Sequence, residues 1–190
     1  MLAVRRARGG VLARPAGRLR RSSASAWVAT SPHPPVIGLV RFLYLLAVGL
    51  WIGEIAAFSF LVAPAVFRVL DSAAAGDVVG AIFPRYYLLG AVAGATACGL
   101  GLVLANASGH PRWWLAAVAV LGVGLAATVW AGMVVQPRAR SLRVAMQAAG
   151  PESPAAAEFR RLHGRAVALN GAALLAGLVG LGLSAGALRQ

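Results

Sequence analysis

A long apolar run from Leu39 to Leu70 constrains this chain more than any other feature, and one acid, Glu54, lies well inside it. An apolar segment of about 18 residues or more can cross the hydrocarbon of a bilayer as a helix, because each residue adds about 1.5 Å. Three further apolar runs follow along the chain. The sequence therefore predicts four membrane spans, at about residues 37–62, 86–104, 115–135 and 166–188.

The composition agrees with a protein that is surrounded by lipid. Hydrophobic residues make up 59% of the chain and charged residues 12%, which is too little charge to cover a water-soluble domain of this size. Short turns between consecutive spans favour antiparallel neighbours. We expect an all-α integral membrane domain over residues 36–190, folded as a four-helix up-down bundle with the lipid bilayer as its partner.

Residues 1–35 differ in composition from the rest and contain seven arginines without an acid. The apolar stretch Ala24–Ala29 is too short and too polar for the core of a secretory signal. A twin-arginine signal and an organelle transit peptide are weaker alternatives. We predict a disordered basic tail, or a start codon assigned too far upstream with Val36 near the true beginning.

The net charge of +13 does not indicate nucleic-acid binding, because the arginines lie in the tail or flank the apolar spans and do not alternate with aromatic residues. All basic residues are arginine, and Ala, Gly, Val and Pro are abundant, as in proteins encoded by GC-rich bacterial genes. These features predict a bacterial inner-membrane protein. If the tail is ignored, the distribution of arginine places the first and third loops in the cytoplasm.

Local signals predict two helix starts and several close helix contacts. Asp71 is a suitable N-cap for a short interfacial helix over residues 72–83, and Ser153 followed by Pro154 marks the start of the last helix. Small residues at four-residue spacing allow helix backbones to approach each other closely in lipid. These residues are Gly90 and Gly94 in the second span, Gly124, Thr128 and Gly132 in the third, and Ala176, Gly180 and Ser184 in the fourth.

Antiparallel packing brings most of the polar side chains of the spans to one end of the bundle, the end that carries the first and third loops. The candidate polar site at this end consists of Glu54, Asn170, His163 and Arg85. Glu54 lies ten residues before Pro64, or roughly 15 Å along the helix. Asn170 follows His163 by two helical turns, so both side chains share a face.

A charged carboxylate at this depth costs about 2.5–3.5 kcal/mol on insertion scales, so Glu54 should face the interior and find a partner or hold its proton. We predict a hydrogen bond from Asn170, with Arg85 as a second and shallower partner. The functional interpretation is a protonatable or ligand-binding site that opens at this end. The structural interpretation is a polar clasp that holds the first and fourth helices together.

No other catalytic or metal-binding pattern is apparent in the sequence. The chain has no nucleophile–base pair, phosphate-binding loop or paired carboxylates. Cys98 is the only cysteine in the sequence, so it cannot form an internal disulfide, and a thiolate metal site would need several cysteines. His163 is more typical of a membrane interface than of a ligand. We therefore predict no cofactor and no metal.

Four stretches resemble an uncharacterised family of four-helix membrane proteins that includes transmembrane protein 205, also described as domain of unknown function 4149. They are FLYLLAVGLWIGEIAAFSFLVAPAVFRVL, AGDVVGAIFPRYYLLG, VVQPRARSLR and EFRRLHGRAVALN. The resemblance extends from Val36 to about Leu188, and it implies an integral membrane protein without an established reaction. Glu54 stands where a small or apolar residue is expected.

More distantly, the first span is similar to that of copper-resistance D proteins and HemJ-type protoporphyrinogen oxidases. The HemJ resemblance implies a haem-binding histidine early in the first span, but the register from Trp51 places Leu43 there. This difference argues against haem.

The leading prediction is a non-enzymatic membrane module that handles a small solute, a metal ion or a proton. Two alternatives remain: a haem- or porphyrin-linked redox protein, and a structural or assembly partner in a membrane complex. Because four helices rarely form a transport path alone, a homo-oligomer is expected.

Overall fold

The computed structural model describes residues 34–109, 111–150 and 152–189, and this part of the chain is almost entirely helical. Two π-helical segments, Phe58–Val62 and Ala131–Val135, each join two α-helices into one longer helix. The α-helices are α1 (Pro34–Ala57), α2 (Ala63–Val69), α3 (Ser72–Ala107), α4 (Pro111–Trp130), α5 (Gln136–Ala149) and α6 (Pro154–Leu188). The all-α prediction is confirmed.

Four continuous helices are long and apolar enough to cross a membrane: Pro35–Val69, Ser72–Ala107, Pro111–Ala149 and Pro154–Leu188. α3 packs between α1 and α4, and α6 packs against α4 and, less extensively, against α1. Large apolar side chains such as Leu39, Phe42, Leu88 and Leu175 remain exposed on the outside of the bundle, as expected where lipid replaces water. The protein is an integral membrane protein with the predicted up-down four-helix fold.

Both predicted helix starts are confirmed by cap hydrogen bonds. The Asp71 carboxylate accepts hydrogen bonds from the backbone N–H groups of Ala73 and Ala74, at 2.9 and 3.0 Å. The Ser153 hydroxyl accepts one from the N–H of Ala156 at 3.3 Å, with Pro154 in the first turn of the helix. These bonds satisfy donors that a helix leaves unpaired at its N-terminus.

The helices extend beyond the predicted spans. The predicted short helix over residues 72–83 is not a separate element, because it is the first part of α3, which continues through Pro84. The polar stretch after the third span is also largely helical, since α5 continues that helix to Ala149. Most of the predicted tail, residues 1–33, lies outside the described residues, and α1 begins at Pro34.

The centre of the bundle is built around Trp51, which is completely buried. A second buried contact lies nearer the end of the bundle where α1 begins and α6 ends. There the Tyr44 hydroxyl and the Ser184 hydroxyl form a buried hydrogen bond of 2.5 Å that links α1 to α6. The Trp114 ring packs edge-on against Tyr44, with ring centroids 5.3 Å apart. One end of the bundle is therefore closed by direct contact between the first and fourth helices.

Small residues allow these close contacts, as the four-residue spacing predicted. A Cβ atom added to Gly94 would lie 3.2 Å from the Trp51 ring, and one added to Gly124 would lie 2.8 Å from the Cβ of Ala176. At Gly132 the neighbour is Tyr87, and at Gly180 it is Leu121. A larger residue at these positions would push neighbouring helices apart.

Candidate functional site

Glu54 is half-buried on the inner side of α1, and its carboxyl group points toward α3 and α4. The carboxyl group lies directly over Gly90 of α3, in the space that a Cβ at this position would occupy. The same position lies 3.2 Å from Thr128 Cγ2 of α4 and 3.4 Å from Trp51 Nε1. Gly90 thus leaves room for a polar pocket between three helices.

Three polar atoms in this pocket region are buried without a hydrogen-bond partner among the described residues. They are Glu54 Oε2, the indole nitrogen Trp51 Nε1 and the Tyr86 hydroxyl. Tyr86 lies one helical turn before Gly90 and interacts electrostatically with Glu54. Thr128, in contrast, uses its hydroxyl to donate to the Gly124 carbonyl at 3.1 Å.

This set of atoms contains complementary hydrogen-bonding groups. The indole N–H can only donate, a carboxylate can only accept, and a phenol can do both. An unpaired buried polar group costs about 1–3 kcal/mol, and buried polar groups in native proteins nearly always have a partner. Ordered water, an ion or a ligand can satisfy such atoms.

An aromatic cluster of Phe58, Phe83, Tyr86 and Tyr87 includes a member of this polar region, Tyr86. Tyr86 packs against Phe58 and Tyr87, each with ring centroids 5.0 Å apart, and Phe83 packs against Tyr87 at 5.7 Å. Phe58, Phe83 and Tyr87 also line a cavity of about 770 Å³. Phe58 and Tyr87 therefore contact Tyr86, which interacts with Glu54, and also form part of the cavity wall.

The cavity lies between the loop ends of the four long helices. At this end α2 packs on α3 and α5 packs on α6, and the cavity is lined from both pairs. Arg143 of α5 reaches across to α3, where Nη2 lies 3.0 Å from Asp77 Oδ1 and also donates to the Ala73 carbonyl. Its guanidinium group fits against Gly76, where a side chain would collide with it.

Two of the predicted site residues, Asn170 and His163, line this cavity on α6. The Asn170 side chain is half-buried and hydrogen-bonds with the side chain of Tyr87, so the structure pairs it with α3 rather than with Glu54. His163 is exposed and stacks on Phe159, with ring centroids 6.2 Å apart and planes at 17°.

The other two predicted residues lie apart from these. Glu54 faces the pocket around Gly90, and Arg85 is exposed on α3 outside the cavity wall. The four predicted site residues thus lie in three different places: the cavity wall, the space over Gly90 and the exposed side of α3. In the described part of the chain, no group of three or more His, Cys, Asp or Glu side chains is arranged to hold a metal ion.

The candidate site predicted from the sequence did not include Trp51, Tyr86 and Tyr87, although the antiparallel arrangement had placed Tyr86 at the same end of the bundle. Trp51 precedes Glu54 by three residues, a spacing that puts both on one helix face, so this neighbour could have been identified. Tyr86 and Tyr87 come from another helix. Their contacts depend on how the helices are rotated against each other, which a single sequence does not specify.

Comparison with known protein families shows which family the chain belongs to. The family described as a domain of unknown function, DUF4149, matches residues 46–148. The chain belongs to the DUF4149 family. The matched region of this DUF4149 protein contains Trp51, Glu54, Tyr86, Gly90 and Thr128, whereas Asn170 and His163 lie beyond it.

The DUF4149 family carries no described activity, so membership establishes the kind of protein but not its function. No curated protein and no solved structure matches the chain. The resemblances to transmembrane protein 205, to copper-resistance D proteins and to HemJ-type proteins therefore stay predictions.

Proposed function

We propose that this DUF4149 protein is a non-enzymatic membrane module that binds a proton or a small cation at Glu54. The observation that carries the proposal is a group of buried polar atoms that have no hydrogen-bond partner in the described part of the chain: Glu54 Oε2, Trp51 Nε1 and the Tyr86 hydroxyl. Carboxyl groups inside membrane bundles are rare, and they commonly belong to proton relays and ion pathways.

The surroundings of Glu54 favour an external positive species over an internal ion pair. Its neighbours Trp51, Tyr86, Gly90 and Thr128 carry no positive charge. A buried carboxylate without a counter-charge is strongly unfavourable. A bound proton or cation removes this cost, and the hydroxyl and indole groups complete its hydrogen bonding, directly or through water.

The cavity next to the aromatic cluster supports an approach to Glu54 from the loop end of the bundle. Tyr87 lines the cavity, and its chain neighbour Tyr86 belongs to the polar region around Glu54. Movement of these rings would connect the two spaces. Asn170 and His163 then belong to the approach, which is the role that we propose for them in place of direct contact with Glu54.

The structural alternative is that Glu54 only helps to hold helices together. The close approach of Gly90 and Thr128 favours this possibility, because the carboxyl group fills the space between α1, α3 and α4. The haem-linked alternative has no such support: His163 is exposed, and His33 and His110 lie outside the described residues. A homo-oligomer in a bacterial inner membrane remains our expectation.

Labelling with dicyclohexylcarbodiimide tests the proposal, because this hydrophobic reagent couples to protonated carboxyl groups inside membranes. Membranes containing the protein are treated at several pH values, with sodium chloride or choline chloride, and the protein mass is measured. We expect the wild type and Glu158→Gln to gain one adduct and Glu54→Gln to gain none. Glu158 is a suitable control because it is an exposed acid on α6.

The salt comparison distinguishes the two bound species. Slower labelling in sodium chloride than in choline chloride would identify a cation site, and equal labelling would identify a proton site. Labelling of Glu54→Gln to the same extent as the wild type, or no labelling of the wild type at any pH, would contradict the proposal. Glu54 would then have the structural role.

A further inference from the structure

The cavity at the loop end has two chemically different walls. Five of the six phenylalanines in the sequence line it: Phe58, Phe60, Phe67, Phe83 and Phe159. Its basic lining residues are Arg140 and Arg143, with His163 on the facing helix. Among the described residues that line it, none is an acid. The cavity is therefore suited to a molecule with an apolar part and a negatively charged part.

The basic residues do not have equivalent surroundings. Arg143 is tied to Asp77 and to the Ala73 carbonyl, and only 15% of its side chain is exposed. Arg140 lies three residues earlier on the same helix face and is exposed. Arg143 thus holds α5 against α3, while Arg140 remains available to an incoming anion.

The position of the cavity supports a ligand that comes from the membrane. Phe60 and Phe67 line the cavity and are also 68% and 52% exposed, at the end of a helix that is apolar enough to span a bilayer. Basic pockets between membrane helices on the cytoplasmic side bind anionic lipid headgroups, and this end carries the loops that the arginine distribution predicts to be cytoplasmic. The volume of about 770 Å³ is also within the range of about 300–1,000 Å³ found for small-molecule pockets.

We propose that this cavity binds one anionic amphiphile, an acidic group joined to a hydrocarbon chain. The acidic group lies at Arg140 and His163, and the chain lies along the phenylalanine wall. This site is separate from Glu54 and does not depend on the function proposed for it. Its ligand is an anion with a chain, whereas the Glu54 pocket takes a proton or a small cation.

Native mass spectrometry tests the proposal. The protein is equilibrated in micelles that contain equal amounts of phosphatidylglycerol and phosphatidylcholine with identical chains, and the bound lipids are counted. We expect the wild type to retain phosphatidylglycerol preferentially. Arg140→Gln should lower this preference about fivefold, which corresponds to about 1 kcal/mol for one basic residue near lipid headgroups. Arg112→Gln, the same charge change on α4, should leave the preference unchanged.

A second variant tests the cavity itself. Gly171 lines the cavity, and a Cβ added to it would meet no atom within 4 Å, so Gly171→Leu can place a side chain in the space. We expect this variant to lose most of the bound lipid. Gly182→Leu is the matched control, because Gly182 is on the same helix, is equally open and is not part of the cavity wall.

A third measurement identifies the source of the amphiphile. Palmitate is added in place of phosphatidylglycerol, and preferential retention of one or the other shows whether the ligand is a free fatty acid or a bilayer lipid. The proposal fails if the wild type retains neither in preference to phosphatidylcholine, or if Arg112→Gln acts like Arg140→Gln. It also fails if Gly171→Leu folds and binds as much lipid as the wild type.

Discussion

At the scale of single residues, the surroundings of Glu54 depend on a glycine in the neighbouring helix. Gly90 provides the space in which the carboxyl group lies, between Trp51 and Thr128. The sequence predicted that Glu54 faces the interior, because a carboxyl group inside an apolar span is too costly on the lipid side. It did not predict the correct neighbours. Asn170 was expected to be the partner from its depth alone, but depth does not determine how α6 is rotated.

Gly90→Ala should destabilise the protein, because the added methyl group needs the space of the Glu54 carboxyl group. Thr128 and Trp51 are both almost completely buried and cannot move away. We expect a loss of about 1 kcal/mol in the free energy of unfolding, at the lower end of the range for overpacked cores, because the carboxyl group is the flexible end of its side chain and alanine is the better helix former. Unfolding by sodium dodecyl sulfate in mixed micelles measures this change.

Gly99→Ala is the control for helix propensity in that experiment. Gly99 is also in α3, but a Cβ there would meet no atom within 4 Å. Gly99→Ala should raise the free energy of unfolding by up to about 1 kcal/mol, because alanine is a better helix former than glycine. Equal effects of the two substitutions would show that the space at Gly90 is not limiting.

At the scale of the helices, two prolines explain why two of the long helices contain π turns. Each π segment precedes a proline, Pro64 or Pro137, by the same distance. A proline cannot bond to the carbonyl four residues earlier, and its ring collides with it. The wider turn avoids this conflict: the N–H of Ala63 bonds to the Phe58 carbonyl, and that of Gln136 to the Ala131 carbonyl.

The ends of the helices were more predictable than their interiors. Asp71 and Ser153 are recognisable because capping depends on one side chain and its nearest backbone. The π turns and the continuation of α3 through Pro84 depend instead on backbone hydrogen bonds among several residues of the helix. The hydrophobic pattern is nearly the same whether or not the helix continues through a proline. The sequence therefore indicated a break at Pro84, where α3 continues.

Asp71→Ala should loosen the first turn of α3. It removes the acceptor for the N–H groups of Ala73 and Ala74, and loss of an N-cap costs about 0.5–2 kcal/mol. Hydrogen–deuterium exchange should increase in residues 72–76. Asp71→Asn retains an acceptor oxygen and should exchange like the wild type. Unchanged exchange in Asp71→Ala would mean that packing alone holds this turn.

At the scale of the whole molecule, the bundle is closed at one end and open at the other. The Tyr44–Ser184 hydrogen bond joins α1 to α6 at the closed end, while the cavity separates the two helix pairs at the open end. Glu54 lies between these regions. Hydrophobicity predicted the spans and the short turns predicted their antiparallel order, but neither predicted where the helices diverge, because that depends on the sizes of facing side chains.

Infrared difference spectroscopy on the reconstituted protein tests the central claim, that Glu54 binds a proton or a cation inside the bundle. The spectrum is recorded while the pH or the sodium concentration is changed, for the wild type, Glu54→Gln and Glu158→Gln. We predict a carboxylic-acid stretching band that responds to this change in the wild type and in Glu158→Gln, and that is missing from Glu54→Gln. Identical spectra for the wild type and Glu54→Gln would contradict the account and leave Glu54 with a structural role.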